Sequence, residues 1–102
     1  MTLYERSHAA LNDWQEIVEY TLERHGVAQT EKYMAGLIGC IESMAKHEGH
    51  FKETEVKGRT IRIKHCRKHY IFGLVRDNGP LMIIALFHER MDLMTRLKNR
   101  LK

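Results

Sequence analysis

The apolar residues of this chain change their spacing near residue 58, and this change constrains the fold more than any other feature. Before that point they recur every three or four residues, as on one face of an α-helix. After it, "RTIRIKHC" alternates, so that Ile61 and Ile63 share one face of a strand while Arg62 and Lys64 share the other. The sequence therefore predicts helices followed by a sheet, an α+β fold.

Two helices are predicted in the N-terminal half. Ser7 is a suitable N-cap for the first helix, and the dipeptide His25-Gly26 ends it because glycine readily adopts positive φ. The second helix is predicted from about Ala28 to Ala45, where Gly36 and Gly39 would let the first helix approach closely. We expect the two to form a helical hairpin that packs on a small antiparallel sheet. Their apolar positions are Ala10, Leu11, Trp14, Ile17, Val18 and Leu22, then Tyr33, Met34, Leu37, Ile38, Ile41 and Met44.

Three strands are predicted in the C-terminal half, after a polar connector at residues 46–58. The segments "RTIRIKHC", "HYIFGLVRD" and "LMIIALFHE" have short links, which indicates an antiparallel meander. The N-terminal "TLYERS" could add an edge strand. Asp92 is predicted to cap a short C-terminal helix, and all the helices are expected on one face of the sheet. The apolar stripe of this last helix is Leu93, Met94, Leu97 and Leu101.

The length and the termini define further expectations. At 102 residues the chain is predicted to be one domain, residues 1–102. No apolar run approaches the roughly 20 residues needed to cross a bilayer, and no secretory signal is recognisable. We therefore expect a cytoplasmic protein without membrane contact. Cys40 and Cys66 have no Cys-x-x-Cys spacing, so two buried thiols are expected rather than a disulfide.

Basic residues are concentrated in one block. Residues 56–76 contain seven lysines and arginines and no acidic residue. Such a block is typical of a solvated strand face, and it also favours an acidic partner, either phosphates or an acidic peptide. The seven residues are Lys57, Arg59, Arg62, Lys64, Arg67, Lys68 and Arg76.

Few kinds of chemistry fit the polar residues. The pairs His47-x-x-His50 and His65-x-x-x-His69 lack the spacing of a zinc site, so neither a metal nor a cofactor is expected. Cleavage of RNA without a metal needs a base, an acid and cations. Arg62, Lys64, Arg67 and Arg76 could supply the cations, and His65, His69, Tyr70 and His88 the proton transfer. The alternative is that these histidines and the tyrosine are structural.

Three segments resemble the ParE-type toxins of the RelE/ParE superfamily. The stretch "SHAALNDWQEIVEY" resembles the start of these toxins, and "RTIRIKHCRKHYIFGLV" resembles their central hairpin. "IIALFHERMD" is similar to a ParE signature that ends in His-x-Arg-Met-Asp. The matching residues are Ser7, Ala10, Asp13, Trp14, Ile17 and Tyr20, then His69 to Phe72, then His88, Arg90, Met91 and Asp92.

The resemblance implies the toxin of a bacterial type II toxin–antitoxin pair. Its partner would be a cognate antitoxin, often acidic and partly disordered, and the resulting hetero-oligomer would bind operator DNA only through the antitoxin. ParE-type members poison DNA gyrase by binding it, so no catalytic residue is expected. The residues expected to bind the antitoxin are Arg59, Arg62, Lys64, Arg67, Leu93 and Leu97. Those expected to bind the target are His69, Arg76, His88, Arg90 and Asp92.

Two alternatives remain open at this point. One is a RelE-like endonuclease that cuts mRNA on the ribosome, although no tyrosine follows Tyr70 in the chain. The other is a nontoxic module that binds the antitoxin and regulates the operon. The His-Glu-Arg-Met-Asp segment favours the ParE-type branch.

Overall fold

The computed structural model describes residues 3–101 and confirms an α+β fold with a short C-terminal helix. Five strands form one sheet, and two helical elements accompany it. In chain order the elements are β1 (Tyr4–Arg6), α1 (His8–Ala45), β2 (Lys52–Val56), β3 (Arg59–Cys66), β4 (His69–Leu74), β5 (Leu81–His88) and α2 (Leu93–Arg100).

The long element α1 corrects the predicted helical hairpin, because no loop separates two helices. Only Gly26 departs from helical geometry, at φ 82° and ψ 177°, and it divides α1 into a first arm (8–25) and a second arm (27–45). The buried residues Thr21 and Thr30 are nine positions apart, which at about 100° per residue places them on opposite sides of a straight helix. A straight helix of 38 residues would also be about 57 Å long, whereas the longest dimension of the molecule is 40 Å. The kink at Gly26 therefore lets both arms contribute to the same core.

The sheet is mixed rather than purely antiparallel. Its strand order is β1-β5-β4-β3-β2, and the predicted edge strand β1 runs parallel to β5. Strand β2 lies in the segment predicted to be a polar connector, and that prediction was wrong. Four of the five β2 residues are exposed and only Val56 is buried, so the segment lacks the apolar alternation that reveals a strand. Its pairing with β3 makes it a strand.

Helices cover both faces of the sheet, which corrects the prediction that they share one face. The alternation of β3 is confirmed, since Ile61 packs on the α2 side and Cys66 on the α1 side. A register shift opposite Phe72 and Gly73 bulges β5. The α1 side of the core includes Leu37, Ile41, Ile71, Ile83 and Leu86, and the α2 side includes Ile61, Phe72, Ile84, Phe87, Leu97 and Leu101.

A disulfide joins Cys40 on α1 to Cys66 at the end of β3, which corrects the expectation of two free thiols. The cysteines are 26 residues apart in sequence, and their Cα atoms are 6.4 Å apart. Neither residue belongs to a local motif, so only the packing of the second arm on β3 brings them together.

Among residues 3–101, no helix has both the length and the apolar character needed to cross a membrane.

Candidate functional site

Polar and charged side chains from four elements meet at one end of the sheet. The β3–β4 tip is the two-residue turn Arg67-Lys68, because Cys66 pairs with His69 across it. The second arm of α1 and the junction between β5 and α2 lie against this turn. We call this group the tip cluster; its members are Tyr33, Arg67, Lys68, His69, His88 and Glu89.

Tyr33 connects the second arm to both residues at the start of β4. Its hydroxyl lies 2.6 Å from His69 Nδ1 and accepts a hydrogen bond of 3.2 Å from the backbone N–H of Lys68. Burial, followed by the charge of neighbouring His88, lowers the pKa of His69 from 6.5 to about 4. Burial also raises the pKa of the Tyr33 hydroxyl above its ordinary value of 10.0. At neutral pH, the Tyr33 hydroxyl therefore donates a hydrogen bond to Nδ1 of an uncharged His69.

The Arg67 guanidinium packs against the second arm of α1, although the residue as a whole remains exposed. Its backbone adopts φ 58°, an uncommon conformation for a side chain of this size. Its guanidinium lies 5.6 Å from the centre of the Tyr33 ring and directly against Gly36. A β-carbon at Gly36 would collide with that guanidinium, whereas one at Gly39 would meet nothing within 4 Å. The predicted role of these glycines in helix contact was wrong for both: Gly36 accommodates Arg67, and Gly39 faces open space.

The junction between β5 and α2 is held by local hydrogen bonds. His88 Nδ1 accepts from the Arg90 N–H at 3.2 Å, and the His88 carbonyl accepts from the Met91 N–H at 3.0 Å. Asp92 caps α2, as predicted, by accepting from the N–H and the hydroxyl of Thr95. The side chains of His88 and Asp92 therefore shape the turn that presents Arg90.

Glu89 ties this junction to the sheet. Its N–H donates to the Lys68 carbonyl at 2.9 Å, and its carboxylate accepts from His65 Nε2 at 2.9 Å. The His65 ring stacks on Tyr70 with a centroid distance of 4.4 Å. Two of the residues considered for proton transfer, His65 and Tyr70, thus contact each other on the sheet face opposite His69.

Two of the basic residues predicted to bind the antitoxin, Arg62 and Lys64, form hydrogen bonds within the protein on the α1 side of the sheet. Arg62 donates to the Met44 carbonyl at 2.8 Å and to Glu53 at 2.9 Å, so it stabilises the C-terminal end of α1. Lys64 donates to the His50 carbonyl at 2.6 Å. Both side chains hold the segment between α1 and β2 in place.

The other predicted residues are distributed over the molecule. Arg59 is exposed next to the β2–β3 tip, Leu97 is fully buried and Leu93 half-buried on the α2 side. Arg76 donates to Glu5 at 2.6 Å and to the Pro80 carbonyl, and it thereby braces the loop before β5. The structure therefore does not bring the predicted antitoxin set together. Of the predicted target set it brings His69, His88, Arg90 and Asp92 to one end, and Arg76 lies elsewhere.

Several residues that shape this end were not predicted from the sequence. Tyr33 was assigned to the apolar face of a helix, and Glu89 had no assigned role. Asp13 and Arg100 were also missed as a pair: Asp13 accepts from the Leu86 N–H at 3.0 Å and from Arg100 at 2.9 Å. Arg100 also donates to the Ile84 carbonyl at 2.7 Å, so this pair covers β5 next to its bulge. An acidic residue and a basic residue 87 positions apart offer no local signal.

Within residues 3–101, no group of three or more histidine, cysteine, aspartate or glutamate side chains is arranged to hold a metal ion. The side chains of Lys68 and Arg90 are exposed, and neither forms an ion pair within the same residues. The tip cluster thus combines internally hydrogen-bonded Tyr33, His69 and His88 with the exposed Lys68, and Arg90 is exposed beside it.

Comparison with known proteins identifies the family. The model of a family described as the ParE toxin of the type II toxin–antitoxin system parDE matches residues 4–93. The chain belongs to the ParE toxin family. It is 41% identical over 102 residues to a protein of Escherichia coli named Toxin ParE, a match that covers 100% of this chain and 99% of the relative. The resemblance seen in the sequence is thereby confirmed, and the matched region includes every residue of the tip cluster.

Proposed function

We propose that this ParE-family chain acts in the cytoplasm as a toxin that poisons DNA gyrase by binding it, and that a cognate antitoxin neutralises it. The observation that supports a binding mechanism is that the histidines and the tyrosine of the tip cluster, and His65 beside it, are hydrogen-bonded within the protein. Tyr33 and His69 are hydrogen-bonded to each other, His65 is bonded to Glu89, and His88 Nδ1 accepts from the backbone. These contacts favour a rigid recognition surface over a set of groups poised for proton transfer.

Lys68 and Arg90 are the cations that this surface offers to a target. Both lie at the same end of the sheet, since the Lys68 carbonyl accepts from the N–H of Glu89, the residue before Arg90. Gyrase binds DNA, so positive side chains here would be attracted to its phosphate groups as well as to acidic protein surface. Of the predicted target residues, Arg90 remains the one proposed to touch the target directly, with His88 and Asp92 shaping its turn.

The antitoxin is proposed to dock on the α2 side of the sheet. Helix α2 has only eight residues and leaves several apolar side chains of this face half-buried. Arg59 lies on the same face by strand alternation and is exposed at its rim. An acidic, partly disordered segment could cover this apolar surface while its carboxylates approach Arg59. The half-buried residues are Ile63, Tyr70, Leu74, Met82 and Leu93.

The first experiment is a titration of the purified protein into a gyrase supercoiling reaction, scored for linear DNA. We expect linear DNA that disappears when the antitoxin is added, and at least tenfold less of it with Arg90→Ala. Arg24→Ala, which changes an exposed arginine on α1, is the matched control and should behave as the wild type. Folded protein that yields no linear DNA at saturation would contradict the gyrase target, and cleaved transcripts in a translation reaction would then indicate an endonuclease.

The docking face has a separate test. Arg59→Glu should weaken antitoxin binding at low salt, mainly through a slower association rate, since rim charges act chiefly on encounter. The change is more informative than reversal of Arg62, which would also break the contact with Met44. An unchanged association rate for Arg59→Glu would remove this face from the proposal.

A further inference from the structure

The Cys40–Cys66 disulfide is attached directly to the tip cluster. Cys66 immediately precedes Arg67 in the β3–β4 tip, and Cys40 lies one helical turn after Gly36, against which the Arg67 guanidinium rests. The covalent bond therefore fastens the tip to the second arm of α1. Three noncovalent contacts made by Tyr33, with Arg67, Lys68 and His69, act on the same tip.

The backbone conformation of the β3–β4 tip is energetically unfavourable, and the disulfide helps to maintain it. Arg67 has positive φ, which costs a residue with a β-carbon free energy that glycine would not lose. A tip with this conformation will open more often when fewer contacts hold it. Loss of the disulfide should therefore increase the opening of the β3–β4 tip more than that of the rest of the sheet.

We propose that this disulfide is a redox-responsive latch that holds the tip cluster on α1 when oxidised and loosens it when reduced. The proposal rests on the proposed function only in its cytoplasmic location, a compartment where disulfides are mostly transient, catalytic or regulatory. Reduction would change the surface that carries Lys68, and with it the fit of a partner.

The chemistry balances with a dithiol as the reductant. A thiolate of the dithiol attacks the sulfur of Cys40, which is the less buried of the two cysteines, and the Cys40–Cys66 bond breaks. The second thiol of the reductant then displaces Cys40, so that two protein thiols and one reductant disulfide result. The Gly36 carbonyl lies 3.6 Å from Cys66 Sγ and can accept a hydrogen bond from the new Cys66 thiol.

Two backbone amides report separately on the latch and on the rest of the sheet. The Lys68 amide donates to the Tyr33 hydroxyl and so reports on the latch. The Val75 amide donates to the Thr60 carbonyl at 3.0 Å, at the other end of β3, and so reports on the rest of the sheet. Their hydrogen-exchange rates can be followed by NMR in the full chain after equilibration with oxidised glutathione and again after addition of dithiothreitol.

We expect reduction to accelerate exchange of the Lys68 amide at least tenfold. The Val75 amide lies just beyond the end of β4 and should exchange by local opening there, so its rate should change less than twofold even though the global free energy of unfolding falls. The Cys40→Ser/Cys66→Ser variant should match the reduced protein in either buffer. Alkylation with N-ethylmaleimide in denaturant should add no label to the oxidised protein and two to the reduced protein.

Three results would overturn the latch. Two reactive thiols after equilibration with oxidised glutathione would mean that the bond does not form. An unchanged Lys68 amide would mean that the bond does not hold the tip, and equal acceleration of both amides would mean global loosening. No measurement requires gyrase or the antitoxin, so failure of the proposed function and failure of the latch are distinguishable.

Discussion

The two tips of β3 show how differently the same local structure can be used. Each is a two-residue turn in a basic segment, Lys57-Gly58 between β2 and β3 and Arg67-Lys68 between β3 and β4. Each contains a non-glycine residue with positive φ, at 54° for Lys57 and 58° for Arg67. The β2–β3 tip places glycine second, as two-residue hairpins with positive φ at both positions prefer.

The surroundings of the two tips differ. Lys57 and Gly58 are exposed, and a β-carbon on Gly58 would have nothing within 4 Å. The β3–β4 tip is packed on α1 and joined to it by a disulfide, an aromatic ring and hydrogen bonds. The first tip is therefore specified by its own residues, and the second by contacts with a helix 26 or more positions earlier in the chain.

The largest effect on the β3–β4 tip is expected when its disulfide is removed. The disulfide closes a segment of 26 residues, so the Cys40→Ser/Cys66→Ser variant should lose about 3 kcal/mol of unfolding free energy relative to the oxidised protein. Urea denaturation of both proteins, without reductant, measures this loss. Equal midpoints would show that the β3–β4 tip gains no stability from its covalent link.

The next test removes the hydroxyl that serves both residues of the tip. Tyr33→Phe should cost about 2 kcal/mol, because His69 Nδ1 and the Lys68 N–H each lose a hydrogen-bond partner. Tyr20→Phe is the control, since Tyr20 is 58% exposed and should change stability very little. A Tyr33→Phe variant as stable as the Tyr20→Phe variant would contradict the bridging role of the hydroxyl.

Acid should weaken the β3–β4 tip selectively. The pKa of His69 is about 4 in the folded chain and 6.5 in the unfolded chain, so the unfolded chain binds more protons between these pH values. The free energy of unfolding is therefore highest above pH 6.5, where His69 is neutral in both states, and it decreases as the pH falls from 6.5 towards 4. Because the imidazole is partly screened by solvent, we expect a loss of about 1 kcal/mol.

The measurement is the unfolding free energy at pH 7 and pH 4 for the wild type and His69→Gln. The variant should show a smaller difference between the two pH values. Amide exchange at the Lys57-Gly58 tip, which contains no histidine, should not follow this titration. An identical pH dependence in both proteins would remove His69 as the cause.

The smallest expected effect distinguishes Lys57 from Arg67, the non-glycine residue with positive φ in each tip. Lys57→Gly should stabilise the protein by about 0.5 kcal/mol, since relief of the backbone cost exceeds the added entropy of the unfolded chain. Arg67→Gly gains the same relief but loses the contact with Tyr33 and Gly36, so it should be neutral or destabilising. Thermal melts of the two variants measure the contrast, and equal stabilisation would mean that the Arg67 contact contributes nothing.

Much of the fold could be predicted because its signals are local. The Ser7 and Asp92 caps, the alternation of β3 and the short C-terminal helix all depend on residues within a few positions of each other. Strand β2 escaped prediction because an exposed edge strand needs no apolar pattern. The helical hairpin was predicted where the structure has one kinked element, because a glycine signals a break in helical geometry without specifying a loop.

The candidate site was less predictable than the fold. The sequence alone determined the α+β class, the basic block and the family, because residue types and their spacing carry that information. Only the tertiary structure decided which of the basic residues are engaged, which face each helix covers, and that Cys40 meets Cys66. The Tyr33–His69 contact joins residues 36 positions apart. Such pairs form only when an arm of α1 is packed on the sheet, and no spacing along the chain encodes that distance.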